Sequence, residues 1–220
     1  MTMMTIQGPD GLPRCRWCAA APDFLRYHDT EWGFPVGDDQ RLFEKLCLET
    51  FQSGLSWRTI LAKRENFRAA FHGFDIARVA RFTAIDVERL LGDQGIVRNR
   101  LKIMAVINNA QRAADLIDAE GSLAACLWRY EADPARAAPI EAVATSPESV
   151  ALSADLKRRG WSFVGPTTVY AFMQAMGLVN DHVAACVTRA AVTRARAAFT
   201  SPVSAVISPT CRDFPGLPAG

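Results

Sequence analysis

The sequence predicts an all-α protein, on three observations. Apolar residues recur at spacings of three and four along nearly the whole chain, which gathers them on one face of a helix. Alternating β-branched runs bounded by turn residues are hard to find. Acidic or hydroxyl residues before the periodic stretches and glycines after them supply helix starts and stops. Asp38 and Asp39 open a helix carrying Leu42, Phe43, Leu46 and Cys47, and Gly54 closes it. Further helical stretches run over 56–71, 75–82, 85–92 and 98–117. Ser146 followed by Pro147 reads as a cap with proline at the first helical position, opening a helix that continues to Arg159 and stops at Gly160. Another stretch, Thr167 to Met176, ends at Gly177, and Asp181 is placed to cap a helix bearing His182 and Cys186. From Thr200 onward, Pro202, Pro209, Pro215, Pro218, Gly216 and Gly220 oppose regular structure.

A chain of 220 residues, half of them hydrophobic and 22% charged, suits one globular domain large enough to bury a core without staples. Residues 1–13 read as a flexible extension, 14–190 as the helical domain, and 191–220 as a flexible tail. No apolar run approaches the roughly 18 residues of a membrane span. The first residues lack a charged start followed by an apolar stretch, so a cytoplasmic, reducing setting is expected. There the six cysteines read as thiols or metal ligands, and Cys47 and Cys126, amid Leu and Ala, as small buried hydrophobes. A net charge of +2 permits nucleic-acid binding without demanding it. The chain is expected to be a monomer.

Cys15 and His28 near the start and His182 and Cys186 near the end form a Cys-x12-His and a His-x3-Cys element. Residues four apart on a helix share a face, so His182 and Cys186 would point at a common ion. Two Cys and two His make a closed tetrahedral set that suits structural zinc and leaves no place for substrate water. A rival is Cys15-Arg16-Trp17-Cys18, a Cys-x-x-Cys knuckle that would supply both N-terminal thiolates and leave out His28.

Glu49 lies seven residues after Leu42 and three after Leu46, close to the stripe that packs into the core. A carboxylate there is costly without partners, unless it swings into water at the helix end. Its sequence neighbours are aromatic: Trp17, Tyr27 and Trp32 flank the metal-type residues, and Trp57 follows through Gln-Ser-Gly-Leu-Ser. Singly each suits an ordinary core; together, an aromatic pocket with one acid suits a flat cationic ring. Gly160-Trp161-Ser162-Phe163-Val164-Gly165 joins two helices through a glycine-ended loop. Such a turn can be a plain corner, or can aim backbone N–H groups at a phosphate. Arg189, Arg194 and Arg196 read as a solvated helix face.

Tyr-His-Asp-Thr-Glu-Trp-Gly at 27–33, Leu-Cys-Leu-Glu at 46–49, Gln-Ser-Gly-Leu-Ser-Trp at 52–57, Lys-Arg-Glu-Asn-Phe at 63–67, and Phe-Val-Gly-Pro-Thr-Thr with Asn-Asp-His downstream closely resemble the DNA-3-methyladenine glycosylase I family. The likeness runs from about Arg14 to Cys186. Gly95 to Lys102 followed by the Gly160 hairpin also resembles the order of elements in the wider helix-hairpin-helix glycosylase superfamily. The resemblance implies a helix-hairpin-helix glycosylase-like domain whose terminal segments are joined by a structural zinc on Cys15, His28, His182 and Cys186, favouring His28 over Cys18. It puts the base-contacting acid on Glu49, its hydroxyl partner on Tyr27, and a stacking ring on Trp57, with Trp17 and Trp32 as further pocket aromatics. Gly54 and Leu55 match residues that enter the gap left by a flipped nucleotide, and Gly160, Gly165, Thr167 and Thr168 fall on the DNA grip. Phe24 falls on a further base-binding position of the pocket, where the family usually has Tyr, so the ring is kept and a hydroxyl is missing there.

The activity implied is hydrolysis of the bond between N3-methyladenine and deoxyribose in double-stranded DNA. The base must be extruded, at a cost of a few kcal/mol that is least for a damaged base, and its positive charge already makes it leave readily. Glu49 would accept a hydrogen bond from the exocyclic amine. A guanine carbonyl would oppose it, acceptor against acceptor. No lysine stands in a matched position for a Schiff base, so strand cleavage is not expected. Asp181 resembles the superfamily's catalytic aspartate in position but reads first as a cap. Two other classes remain: a zinc-stapled DNA-binding module without catalysis, and a glycosylase for a different alkylated purine.

Overall fold

The computed structural model describes residues 4–205, and among them the architecture is helical. Eleven α-helices follow in order: α1 (Pro22–Thr30), α2 (Asp39–Gln52), α3 (Trp57–Ala62), α4 (Arg64–Ala70), α5 (Ile76–Val79), α6 (Ala84–Gly92), α7 (Arg100–Glu120), α8 (Leu123–Leu127), α9 (Pro147–Arg158), α10 (Pro166–Ala175) and α11 (Val187–Ala198). None is long and apolar enough to cross a membrane.

Helix α2 is the hub. Asp38 caps it by accepting from Arg41 N at 2.8 Å, and it packs against α7 and α10. Leu42, Phe43, Leu46, Cys47, Leu48 and Phe51 are all buried, so the helix is enclosed on nearly every side and not merely along one stripe. Its polar residues Lys45 and Glu49 are therefore carried inside with it. The neighbouring helices bring Phe67, Phe71, Ile103, Val106, Phe172 and Met173 to the same core. Cys47 and Cys126 are buried hydrophobes in it, as the sequence suggests.

Several elements depart from the sequence reading. The stretch 56–71 is two helices, broken at Lys63, and 75–82 contracts to α5. Helix α1, which starts with proline at its first position, and α8, capped by Ser122 after the left-handed Gly121, fall where spacing and caps predict no element. The extension 1–13 is not structureless: β1 (Thr5–Gln7) pairs antiparallel with β2 (Pro13–Cys15), Thr5 opposite Cys15. Arg14 locks this ribbon by donating to Asp10 at 2.6 Å and to Asp29 of α1 at 3.0 Å. Three-residue strands are too short to show an alternating pattern.

The C-terminal boundary moves as well. Helix α11 runs past residue 190 to Ala198, a 3-10 turn covers Pro202–Ala205, and Phe199 packs on Trp128 with ring centroids 4.5 Å apart. The later prolines and glycines of the expected tail lie outside the described residues. Arg189 and Arg196 are not a solvated face: Arg189 donates to the Asn180 carbonyl at 2.9 Å and also to that of His182, while Arg196 pairs with Glu131 at 2.6 Å and with two carbonyls.

Candidate active site and metal cluster

His182 and Cys186 do not lie on a helix. Residues 181–186 form an irregular turn closed by Cys186 N donating to the Val183 carbonyl, and α11 begins only at Val187. The turn still converges the four predicted ligands. Cys15 Sγ and His182 Nδ1 are 3.7 Å apart, His182 Nδ1 and His28 Nε2 3.1 Å, Cys186 Sγ and His28 Nε2 3.4 Å, and Cys186 Sγ and His182 Nδ1 3.5 Å. A tetrahedral ion with Zn–N near 2.0–2.1 Å and Zn–S near 2.3 Å spaces its ligand atoms roughly 3.3–3.8 Å apart.

The outer nitrogens are also set. His28 Nδ1 faces Asp29 Oδ1 at 2.7 Å and His182 Nε2 faces the Trp32 carbonyl at 3.0 Å, which fixes both rings with their inner nitrogens free to ligate. The hydrogen bond to Cys186, then burial, push Cys15 far up, while the bond from Cys15 holds Cys186 far below the usual thiol range against its own burial. A divalent cation would let both ionise, so the donor set fits a structural metal. Cys18 stands outside the cluster and packs with Ala21 and Phe24.

Beside the cluster opens a largely apolar cavity of about 510 Å³, walled by Trp17, Tyr27, Trp32 and Trp57 and holding Glu49. Trp17 links the two sites, its ring edge-on to His28 at 5.3 Å, to Trp32 at 5.0 Å and to Tyr27 at 6.3 Å. Tyr27 and Trp57 lie 5.3 Å apart. Glu49 is only 5% exposed, so it does not swing into water. Phe24 does not line the cavity; it packs behind Trp17 at 5.9 Å, which is why a ring there can dispense with a hydroxyl.

Lys45 and the connection between α8 and α9 escaped the sequence reading, and Asp181 lines the cavity instead of capping a helix. Lys45 sits one helical turn before Glu49, its Nζ 2.7 Å from Oε1 and 3.0 Å from Tyr27 Oη, to which it donates. Burial pulls the Lys45 ammonium down, but Glu49 and Tyr27 outweigh it and hold it above the ordinary lysine value. Burial raises the Tyr27 hydroxyl, with Lys45 opposing. The i, i+4 spacing was the available signal. Asp181 does not cap a helix: its carboxylate faces the cavity and accepts from the Tyr170 hydroxyl and from Gln174 Nε2, the latter at 2.9 Å. Pro139, Glu141 and Val143, from the connection between α8 and α9, complete the wall.

The predicted DNA contacts lie on two exposed turns. Gly54, in the left-handed region at φ 76°, and Leu55, 43% exposed, follow α2. Gly160, at φ 81°, and Gly165 bracket the turn between α9 and α10, with Thr167 exposed and Thr168 half-buried at the start of α10. Within that turn Phe163 holds φ 58°, an uncommon conformation for an aromatic residue.

The profile of the methyladenine glycosylase family matches residues 17–190. DNA-3-methyladenine glycosylase 1 of Escherichia coli (strain K12) is 46% identical over 179 residues, which span 80% of this chain and 96% of that protein. A crystal structure of 3-methyladenine DNA glycosylase I is 47% identical with a TM-score of 0.75, covering 79% of this chain and 98% of that one. A tyrosine-to-phenylalanine variant of 3-methyladenine DNA glycosylase I, solved in complex with 3-methyladenine, is 36% identical with a TM-score of 0.75, over 80% of this chain and 97% of that one. With the helical fold and the acid held among aromatic rings, these likenesses define a class, the DNA glycosylases. The chain belongs to the methyladenine glycosylase family.

Proposed function

We propose that this protein is a monofunctional glycosylase that hydrolyses the N-glycosidic bond of N3-methyladenine in alkylated double-stranded DNA. The observation that carries this reading is Glu49, buried, linked through Lys45 to Tyr27, and lining a cavity walled by Trp57, Trp17 and Trp32. A base cannot be reached inside the duplex, so it is extruded into the cavity. There it stacks on Trp57, Tyr27 fixes its edge, and Glu49 accepts a hydrogen bond from the exocyclic amine. An amine satisfies the acid, whereas a guanine carbonyl would leave it unpaired. The N3-methylated ring carries a positive charge, so departure needs little acid catalysis, and water completes the reaction. Normal adenine offers the same amine but keeps its stable glycosidic bond.

The Lys45 amine is an ion-paired ammonium and not a free nucleophile, which supports base removal without strand cleavage. Cys15, His28, His182 and Cys186 would hold zinc, whose contribution is structural because four protein ligands close its shell. It ties β2 and α1 to the turn before α11 and holds Trp17 and Trp32 in the pocket wall. The glycine-ended turn from Gly160 to Gly165 serves as the hairpin of a helix-hairpin-helix, presenting backbone N–H groups at the start of α10 to a phosphate. Gly54 and Leu55 enter the gap left by the extruded nucleotide. The expected setting is cytoplasmic, and the expected state a monomer.

Chromatography of the bases released from methylated duplex DNA tests the reading. N3-methyladenine should dominate the product. Release of another alkylated purine in its place would reassign the substrate, and release of no base would leave a DNA-binding module. Nicking at the abasic product without added base or nuclease would contradict a monofunctional enzyme.

A further inference from the structure

Helix α2 is enclosed on nearly every side, and Lys45 is carried inside with it, at the wall of the aromatic cavity; its side chain is 7% exposed. The charge is satisfied inside by three groups. It lies 2.7 Å from Glu49 Oε1, donates to Tyr27 Oη at 3.0 Å, and stands 3.4 Å from the centre of the Trp57 ring. An acid and an aromatic face are what a flat cation seeks, and this chain supplies a cation of its own to both.

We propose that Lys45 is a specificity-determining residue, an internal cation that competes with a positively charged base for Glu49 and Trp57. The inference rests on the assignment of those groups to base recognition. With Lys45 paired to it, the carboxylate no longer offers an uncompensated negative charge, so the cavity loses much of its electrostatic preference for cationic over neutral rings. A bound cation must either displace the ammonium from the indole face or lie near a like charge. A neutral purine meets no such opposition. Lys45 therefore narrows the margin between charged and uncharged ligands without touching the shape of the walls.

The test uses two ligands of similar shape, the permanently charged 3,9-dimethyladeninium and the neutral 9-methyladenine, titrated against the full chain by tryptophan fluorescence. Lys45→Gln, which keeps a hydrogen-bond donor beside Glu49, should bind the cation about ten-fold tighter than the parent while its affinity for the neutral ring changes by less than about three-fold. Lys45→Arg, which keeps the charge, should stay close to the parent on both. Lys45→Met serves as a second uncharged variant if Lys45→Gln does not fold, judged by circular dichroism. Unchanged or weaker cation binding in a folded uncharged variant would overturn the proposal and make Lys45 a support for Glu49; so would an arginine variant that binds the cation as tightly as the glutamine one. Because binding is read without DNA, a parent that discriminates as described yet releases no base from methylated DNA would reject the proposed reaction and leave the role of Lys45 standing.

Discussion

Glu49 and Lys45, one helical turn apart on α2, are opposite charges paired at 2.7 Å inside the protein. Glu49 was legible because it sits near an apolar stripe, where a carboxylate needs a reason. Lys45 was not, because a lysine ordinarily reaches water along its own stem; its burial comes from the enclosure of α2 on nearly every side, and enclosure is a tertiary fact. Asp181 misled for a related reason: an acid before a turn suits a cap, and nothing local reveals the Tyr170 hydroxyl that claims it. Glu49→Gln keeps the volume and an acceptor for Lys45, so the fold should survive with its metal. It removes the charge from the face that meets the exocyclic amine, and kcat/KM for N3-methyladenine release should fall about 100-fold or more. Activity equal to the parent would take Glu49 out of the mechanism. Cys18→Ser, by contrast, changes a thiol outside the Cys15, His28, His182, Cys186 cluster proposed to hold zinc. One zinc per chain should remain by elemental analysis, and its loss would revive the Cys-x-x-Cys pairing.

The elements are joined by contacts that sequence spacing describes only in part. The four members of the Cys/His cluster were legible as residue types, yet the helical argument for His182 and Cys186 fails: a turn brings them together, and spacing by four does not distinguish a turn from a helix. The β1–β2 ribbon was invisible at three residues per strand, although it delivers Cys15. If this clasp holds zinc, stripping the metal should loosen the ribbon and the 181–186 turn together. The melting temperature would drop by about 6–12 °C, taking about 3 kcal/mol at 2–4 °C each for a chain of this size, and the emission of Trp17 and Trp32 would shift. A metal-free protein that melts with the holo form would remove the structural role. A second junction is wholly protein. The Asp39 carboxylate accepts from Ser122 Oγ at 3.0 Å, Leu123 N at 3.1 Å and Ala124 N at 2.7 Å, tying the start of α2 to that of α8. Asp39→Ala orphans these donors and should cost about 1–3 kcal/mol in chemical denaturation, with base release little changed at temperatures where the protein is folded.

At the scale of the whole molecule, the net charge of +2 gives no strong general attraction to a polyanion, and many cations are spent on internal pairs such as Arg64–Glu31 and Arg196–Glu131. A duplex must then be held locally, and the turn between α9 and α10 can be tested without disturbing the fold. Gly165 has φ −62° and ψ 158°, which alanine adopts freely, and an added Cβ would meet no atom within 4 Å. Gly165→Ala should leave stability unchanged or raise it by about 0.4–1 kcal/mol through the unfolded chain. Its methyl group would nevertheless project from the N-terminal end of α10, where a phosphate is expected to approach, and affinity for undamaged duplex should fall by about ten-fold. Gly160→Ala separates the two effects, because φ 81° there forces alanine into the left-handed region at about 1–2 kcal/mol, so that variant should lose stability. If Gly165→Ala binds duplex as the parent does, at the same salt concentration, the turn is a plain corner between helices and the grip on DNA lies elsewhere.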